Sequence, residues 1–301
     1  MKAVVLKGYG DVDVLAVQDM PEPKVGPGEV KVRVTAASIN PVDWKIRRGD
    51  MKGRMDLKFP AILGRDVSGE VVEVGTGVEA FEPGDRVMGL VNAGYAETVV
   101  APTECWAKVP DTLDLQDAAA LPLVTLTGTQ LIEEHVRPSH GDTVLVTGAL
   151  GAVGRSAVFA ARARGARIWA GVRKKQVEEA RKLGVEGVVA LDDPKDVARL
   201  PTLDAVADTV GGDAVAAVLD KVKHGGVVGS VLGEPKGAKE KGLVVRSFMA
   251  HPDGHRLSQI AESAAKGDLV IPISRTFKLD DAREAQKVAE KGGVGKVLLV
   301  N

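Results

Sequence analysis

The sequence predicts an α/β protein in two lobes, one β-rich and one built on a doubly wound parallel sheet. Three observations carry the prediction. Early in the chain, Val30, Val32 and Val34 alternate with Lys31, Arg33 and Thr35, the period-two pattern of a half-buried strand. Near Asp117 the texture changes, and a strand, a glycine-rich turn and a helix follow in succession from Val144. Strand and helix then alternate, which requires parallel strands joined by crossover helices. At 301 residues the chain exceeds the usual size of a single core.

Taken in order, the first hundred or so residues read as antiparallel β. Short strands over 67–74, 85–90 and 96–101 are separated by Gly75-Thr76-Gly77, Glu82-Pro83-Gly84 and Asn92-Ala93-Gly94, all of which are turn chemistries. Segments 118–121 and 126–134 have helical composition. Strands are expected at 144–146, 168–170, 188–191, 205–208, 227–231 and 243–245, with helices at 156–164, 174–183 and 214–222. The last fifty residues return to a mixed pattern, with a helix over 257–265, an apolar stripe at Ala282, Ala285, Val288 and Ala289, and a strand over 297–300.

Composition excludes several function classes. Forty Lys and Arg against forty-one Asp and Glu give a net charge of -1, so no field gathers a phosphate backbone or an anionic membrane. Aromatics at 3% supply few stacking platforms for single strands, and nucleic acid is not expected as a partner. The one cysteine, Cys105, forms neither an internal disulfide nor a four-Cys metal lobe. The apolar run at the start is short for a signal peptide, and no stretch holds the ~20 apolar residues of a membrane helix. A reducing cytoplasm is the expected compartment.

The segment Gly148-Ala149-Leu150-Gly151-Ala152-Val153-Gly154 sets three glycines at G-x-x-G-x-x-G spacing between a strand and a helix. A sharp turn, close approach of backbone to a pyrophosphate and tight helix packing each exclude a Cβ, and the helix N-terminus offers free N–H groups. The alternative is purely structural: the same glycines let the helix lie on the sheet. A carboxylate about 20 residues further on would take the ribose 2′-OH of NAD. Instead the chain runs Gly171-Val172-Arg173-Lys174-Lys175, cations suited to a 2′-phosphate, so NADPH is the expected cofactor. The short-chain dehydrogenase spacing is not met, and neither Tyr9 nor Tyr95 is followed four residues on by Lys.

Together with these features, Asn40-Pro41-Val42-Asp43, Gly64-Arg65-Asp66-Val67-Ser68-Gly69-Glu70-Val71, Pro83-Gly84-Asp85-Arg86-Val87, Gly94-Tyr95-Ala96-Glu97 and Gly295-Lys296-Val297 resemble the medium-chain dehydrogenase/reductase superfamily. The resemblance is to its zinc-independent, zeta-crystallin-like quinone oxidoreductase branch and spans almost the whole chain. It implies a GroES-like β-rich catalytic domain over 1–122 and 249–301, and a Rossmann cofactor domain over 123–248. Where the zinc-dependent branch carries Cys and Gly-His-Glu, this chain has Asn40 and Gly64-Arg65-Asp66, and none of its five His lies in the N-terminal lobe. No metal is expected.

The resemblance implies hydride transfer from NADPH to a quinone or an α,β-unsaturated carbonyl, in a homodimer paired through an edge strand. Asn40 and Asp43 correspond to residues lining the active-site cleft, and Thr127 to one contacting the nicotinamide. Val210, Gly211, Ser230, Val231 and Leu232 fall at carboxyl ends of strands, where open α/β sheets bind ligands, and Phe248 and Met249 follow the sixth strand. Bland alternatives stand beside these: turn chemistry for Asn40 and Asp43, a helix cap for Thr127, packing for Phe248 and Tyr95. Asp43 is expected to be exposed and ionised, leaving proton delivery to water. Trp44 is bulkier than the resemblance leads one to expect, and the expectation it raises is a narrower acceptor pocket. The rival function is a dinucleotide-binding regulator or scaffold without turnover.

Overall fold

A computed structural model describes residues 1–293 and 295–301. Two compact units divide the chain: Met1–Leu123 with Pro252–Asn301, and Val124–His251. The divisions fall one and three residues beyond the boundaries expected from the sequence.

The first unit opens with strands β1 (Lys2–Leu6), β2 (Leu15–Asp19) and β3 (Glu29–Ile39), then helix α1 (Pro41–Arg48). There follow β4 (Ala61–Ile62), β5 (Asp66–Val74), β6 (Arg86–Leu90), β7 (Thr98–Pro102), β8 (Trp106–Lys108) and helix α2 (Leu115–Ala119). In β3 the valines at 30, 32 and 34 are buried as the alternation requires, and Val32 lies opposite Val71 of β5. Beyond an irregularity at Val34/Ala36 the alternation stops and Ala36 to Ile39 are all buried, because that end of the strand is covered on both faces.

Asn40-Pro41-Val42-Asp43 is the start of α1, a helix that the sequence reading does not place there, turn chemistry being only its alternative for Asn40 and Asp43. Asn40 is extended (φ -121°, ψ 155°), Pro41 takes the first helical turn where its missing N–H costs nothing, and the Asp43 carboxylate accepts the Asn40 N–H at 2.8 Å. Gly49 closes the helix in the left-handed region at φ 87°.

The second unit begins within α3 (Pro122–Gln130) and continues through a π-helical turn (Leu131–Val136) to β9 (Thr143–Thr147), α4 (Ala152–Ala163), β10 (Arg167–Val172), α5 (Val177–Arg181) and β11 (Gly187–Ala190). Then come α6 (Pro194–Ala198), β12 (Leu203–Asp208), α7 (Gly212–Ala216), β13 (Val222–Ser230) and β14 (Val244–Ser247). The six strands are parallel in the order β11-β10-β9-β12-β13-β14, so the chain changes direction of travel across the sheet between β9 and β12. Successive residues serve opposite faces: Val144, Val146, Ala205 and Ala207 enter one core cluster, Leu145 and Val206 another. The sheet is thus covered on both sides, as a doubly wound fold demands.

Two helices are shorter than expected. Over 174–183 a 3₁₀ turn at Lys174–Gln176 precedes α5, and over 214–222 the helix ends at Ala216. Val222 already belongs to β13, paired with Leu203 across a register shift that the local composition does not announce. The first unit is completed by α8 (Gly254–Ala265), β15 (Ile273–Lys278), α9 (Ala282–Glu290) and β16 (Lys296–Val300), the last antiparallel to β3.

Candidate active site

In the second unit the glycine turn links the carboxyl end of β9 to α4. Gly148 has φ +65°, and a Cβ there would stand 2.6 Å from Val210 Cγ2. A Cβ on Gly154 would lie 2.1 Å from the Gly148 carbonyl oxygen, so this glycine lets α4 pack on the turn. At Gly151, the exposed residue before α4, the nearest atom to a Cβ would be the Gly148 oxygen at 3.2 Å and the rest is open. The first-turn amides of α4 have no side-chain cap. An open cradle beneath uncapped amides fits a pyrophosphate.

Ala149 and Leu150, expected in the cofactor site, turn their side chains into the core, leaving only backbone for a ligand. Ala152 and Val153 are half-buried in the first turn of α4. Gly171 is buried at the end of β10, against Leu191. Arg173 is exposed and has no ion pair among the described residues. Lys174 differs: its Nζ lies 2.9 Å from Asp193 Oδ2, and the hydrogen bond and charge of Asp193 hold the ammonium above its ordinary range. A surface cavity of about 350 Å³ opens beside it, bringing Lys195 and Arg199 alongside Lys174.

Val210, Leu232 and Met249 are exposed apolar side chains at 47%, 48% and 61%. Val231 is half-buried and packs on the core, and Gly211 adopts φ +72°. Ser230 is buried and donates to Asp208 Oδ2 at 2.8 Å, so its hydroxyl is already engaged. Phe248 stacks on His135 with ring centroids 4.0 Å apart, and burial lowers the pKa of that imidazole. Thr127 lies inside α3 and is half-buried, which rules out the helix-cap alternative.

The first unit brings Asn40 and Asp43 together in a buried polar cluster. Asn40 is fully buried and both ends of its amide are engaged: Oδ1 accepts from Lys296 Nζ at 2.6 Å, and Nδ2 donates to Asp66 Oδ2 at 2.8 Å. Asp66 also accepts from Ser38 Oγ at 2.7 Å and from the Leu123 N–H at 2.7 Å. Asp43 Oδ2 accepts from the Tyr95 hydroxyl at 2.6 Å, while Oδ1 is buried without a partner. The expectation of an exposed Asp43 is therefore corrected, while its expected ionisation at neutral pH still holds for a carboxyl at about 6. It is 1% exposed, and burial pushes its carboxyl up to about 6 against the lowering effect of the Tyr95 and Asn40 hydrogen bonds. Burial and the neighbouring Asp43 push the Tyr95 phenol well above its ordinary range. Trp44 is half-buried and packs on the core of this unit.

Sequence reasoning did not single out Lys296 and Asp208 as candidate site residues. A lone lysine opening the apolar strand Lys-Val-Leu-Leu-Val was the available signal for the first, and a carboxylate closing an apolar strand for the second. Among the described residues no group of three or more His, Cys, Asp or Glu converges as metal ligands. The Lys296 ammonium sits 3.5 Å from Asp66 in the cluster containing Asn40. This donor set does not suit a zinc ion.

Two family profiles match the chain: Alcohol dehydrogenase GroES-like domain over residues 26–111, and Zinc-binding dehydrogenase over residues 183–299. The chain is 30% identical to the mitochondrial NAD(P)H oxidoreductase RTN4IP1 of Mus musculus, over 100% of this chain and 89% of that protein. It is 28% identical to the chloroplastic quinone-oxidoreductase QR1 of Triphysaria versicolor, over 99% and 98%. The solved structure of the quinone oxidoreductase from Coxiella burnetii superposes with a TM-score of 0.89 at 29% identity, covering 100% of this chain and 99% of that one.

Proposed function

Because this chain belongs to the quinone oxidoreductase branch of the medium-chain dehydrogenase/reductase superfamily, and is an oxidoreductase, we propose that it reduces quinones or α,β-unsaturated carbonyls with NADPH and without a metal. The observation that carries this reading is the glycine cradle at the sheet's switch point, with Arg173 in place of a carboxylate beyond β10. When bound, the nicotinamide supplies a hydride to the electron-poor acceptor. The α4 amides bind the pyrophosphate, and Arg173 binds the 2′-phosphate. Val210, Leu232 and Met249 offer apolar surface at the strand ends of the second unit. The reduced acceptor also needs a proton. Tyr95 is buried and committed to Asp43, so water delivers it.

We also read the chain as a homodimer paired through β14, the outer strand of the parallel sheet, where Val244 is 42% exposed. The compartment we assign is a reducing one, the cytoplasm.

The test is direct. Protein, NADPH or NADH and a panel of quinones and enones are mixed and the absorbance of reduced nicotinamide is followed. Faster loss with NADPH than NADH supports the reading. Tight binding without turnover replaces it with a regulator or scaffold, a reading favoured by the burial of Asn40 and Asp43.

A further inference from the structure

Asp208, the last residue of β12, is fully buried and has no ion pair among the described residues. Four donors hold its carboxylate instead. Oδ1 accepts from Thr147 Oγ1 at 2.7 Å, from the Val210 N–H at 3.2 Å and from the Gly211 N–H at 2.9 Å. Oδ2 accepts from Ser230 Oγ at 2.8 Å. These donors come from the carboxyl ends of three neighbouring strands, β9, β12 and β13.

The bonding continues outward from this centre. Thr147 Oγ1 accepts the Thr209 N–H at 2.9 Å, and Thr209 Oγ1 donates to the Thr147 carbonyl at 2.6 Å. Ser230 Oγ accepts the Leu232 N–H at 3.2 Å. One side chain thus sets the residue that enters the glycine turn, the 209–211 turn and the start of the 230–232 segment. The contact is tight: Gly148 leaves no room for a Cβ beside Val210 and Thr209.

We propose that Asp208 is a positioning residue that holds the strand-end loops in register with the glycine turn for the nicotinamide half of the dinucleotide. The inference rests on the dinucleotide reading above. Two features favour it over a merely structural role. A carboxylate only accepts, and every partner here is a donor, so it satisfies all four at once; an asparagine in its place would turn an amide N–H₂ towards one of them. Three of its four donors, the Val210 and Gly211 N–H groups and the Ser230 hydroxyl, also lie on the β12 and β13 side of the switch point and the fourth, Thr147, ends β9 at the switch point itself, whereas Arg173 follows β10, one strand further to the other side. Ligands of doubly wound sheets straddle that point, with the adenosine ribose at the end of the second strand. Asp208 therefore governs the half of the ligand that Arg173 does not.

The experiment compares two probes, NADPH and 2′-phospho-ADP-ribose, which lacks the nicotinamide. Dissociation constants are measured by calorimetry for the wild type, Asp208→Asn, Thr147→Val and Thr147→Ser. Asp208→Asn and Thr147→Val are expected to weaken NADPH about tenfold while leaving 2′-phospho-ADP-ribose within a few fold, and Thr147→Ser, which keeps the hydroxyl, to restore NADPH binding. A general loss of stability would not separate the probes. If Asp208→Asn fails to fold, Thr147→Val and Ser230→Ala, which each remove a single hydroxyl, decide the matter by the same split. Equal weakening of both probes, or of neither, in folded variants overturns the inference alone. A wild-type protein that binds neither probe overturns the dinucleotide reading and the inference with it.

Discussion

The Lys296 ammonium donates to the Asn40 side-chain oxygen across 2.6 Å and lies 3.5 Å from the Asp66 carboxylate, with all three side chains at 6% exposure or less. Lys296 opens β16 and Asn40 follows β3, so the pair joins two adjacent antiparallel strands from opposite ends of the chain. Burial lowers the lysine pKa, and Asp66 and Asp43 act against that. Removing one member of a buried charge pair leaves the other uncompensated, which costs about 3–5 kcal/mol. Lys296→Met should lower the unfolding free energy in urea by that order. The double variant with Asp66→Asn should recover part of the loss. A single variant as stable as the wild type would show that the ammonium is not needed to hold the cluster.

Asp43 makes stability depend on pH in an unusual direction for a carboxylate. Its carboxyl releases a proton near 6 in the folded protein against 3.8 in the reference state, because burial outweighs its hydrogen bonds from Tyr95 and Asn40 and the charge of Lys296, while Asp66 adds to the rise. Between about pH 4 and pH 6 the folded form therefore holds more protons than the unfolded chain. The contribution of this group falls as pH rises through that window and is constant above it, with a total on the order of 3 kcal/mol. Asp43→Asn keeps an acceptor oxygen and cannot ionise. The stability of the variant relative to wild type should rise from pH 4 to pH 7. Parallel pH curves for the two proteins would mean that Asp43 does not titrate there.

The two cations beyond β10 should not contribute equally to cofactor choice. Both were expected to pair with a 2′-phosphate, but Lys174 is engaged by Asp193 whereas Arg173 is exposed and without an ion pair among the described residues. A bidentate guanidinium contact to phosphate is worth enough that its loss costs about tenfold in affinity. Arg173→Ala should weaken NADPH by that factor and leave NADH nearly unchanged, and Lys174→Ala should have the smaller effect. Fluorescence titration with both cofactors checks the order. The reverse order would place the phosphate on the Lys174 side, nearer Lys195 and Arg199.

The fold class was legible because its signals are local: alternation at Val30, Val32 and Val34, and a glycine turn between a strand and a helix. Helix α1 was not, since Asn40-Pro41 is equally good turn chemistry and only the Asp43 bond to the Asn40 N–H distinguishes a helix start. The glycine turn itself was visible as a candidate site, its residues lying together in the sequence between β9 and α4. The buried cluster was only half visible: Asn40 and Asp43 are close in sequence, but Tyr95 lies 52 residues from Asp43 and Lys296 lies 256 from Asn40. Burial is a property of that long-range closure, and so the raised pKa of Asp43 could not be judged from its neighbours in the chain. The same holds for Asp208, whose partners Thr147 and Ser230 sit on adjacent strands 61 and 22 residues away.

The glycines of the turn offer a way to separate ligand binding from packing. Gly154 faces the Gly148 carbonyl so closely that a methyl group, 2.1 Å from the oxygen and 2.8 Å from Ala149 Cα, requires α4 to move. Both contacts are backbone and cannot rotate away. Gly154→Ala should therefore destabilise the second unit by about 1–3 kcal/mol or more and lose dinucleotide binding with it. Gly151 is different. It is exposed, its φ of -70° suits any residue, and a methyl group would meet only the Gly148 oxygen, at 3.2 Å, with open space beyond. Gly151→Ala should unfold within a few degrees of wild type, yet place its methyl group where a pyrophosphate must approach the α4 amides. NADPH binding should then weaken about tenfold or more, because phosphate contacts to backbone N–H tolerate little displacement. Should Gly151→Ala bind NADPH as wild type does, the turn serves only to seat the helix on the sheet, and the cofactor would have to be sought elsewhere in the chain.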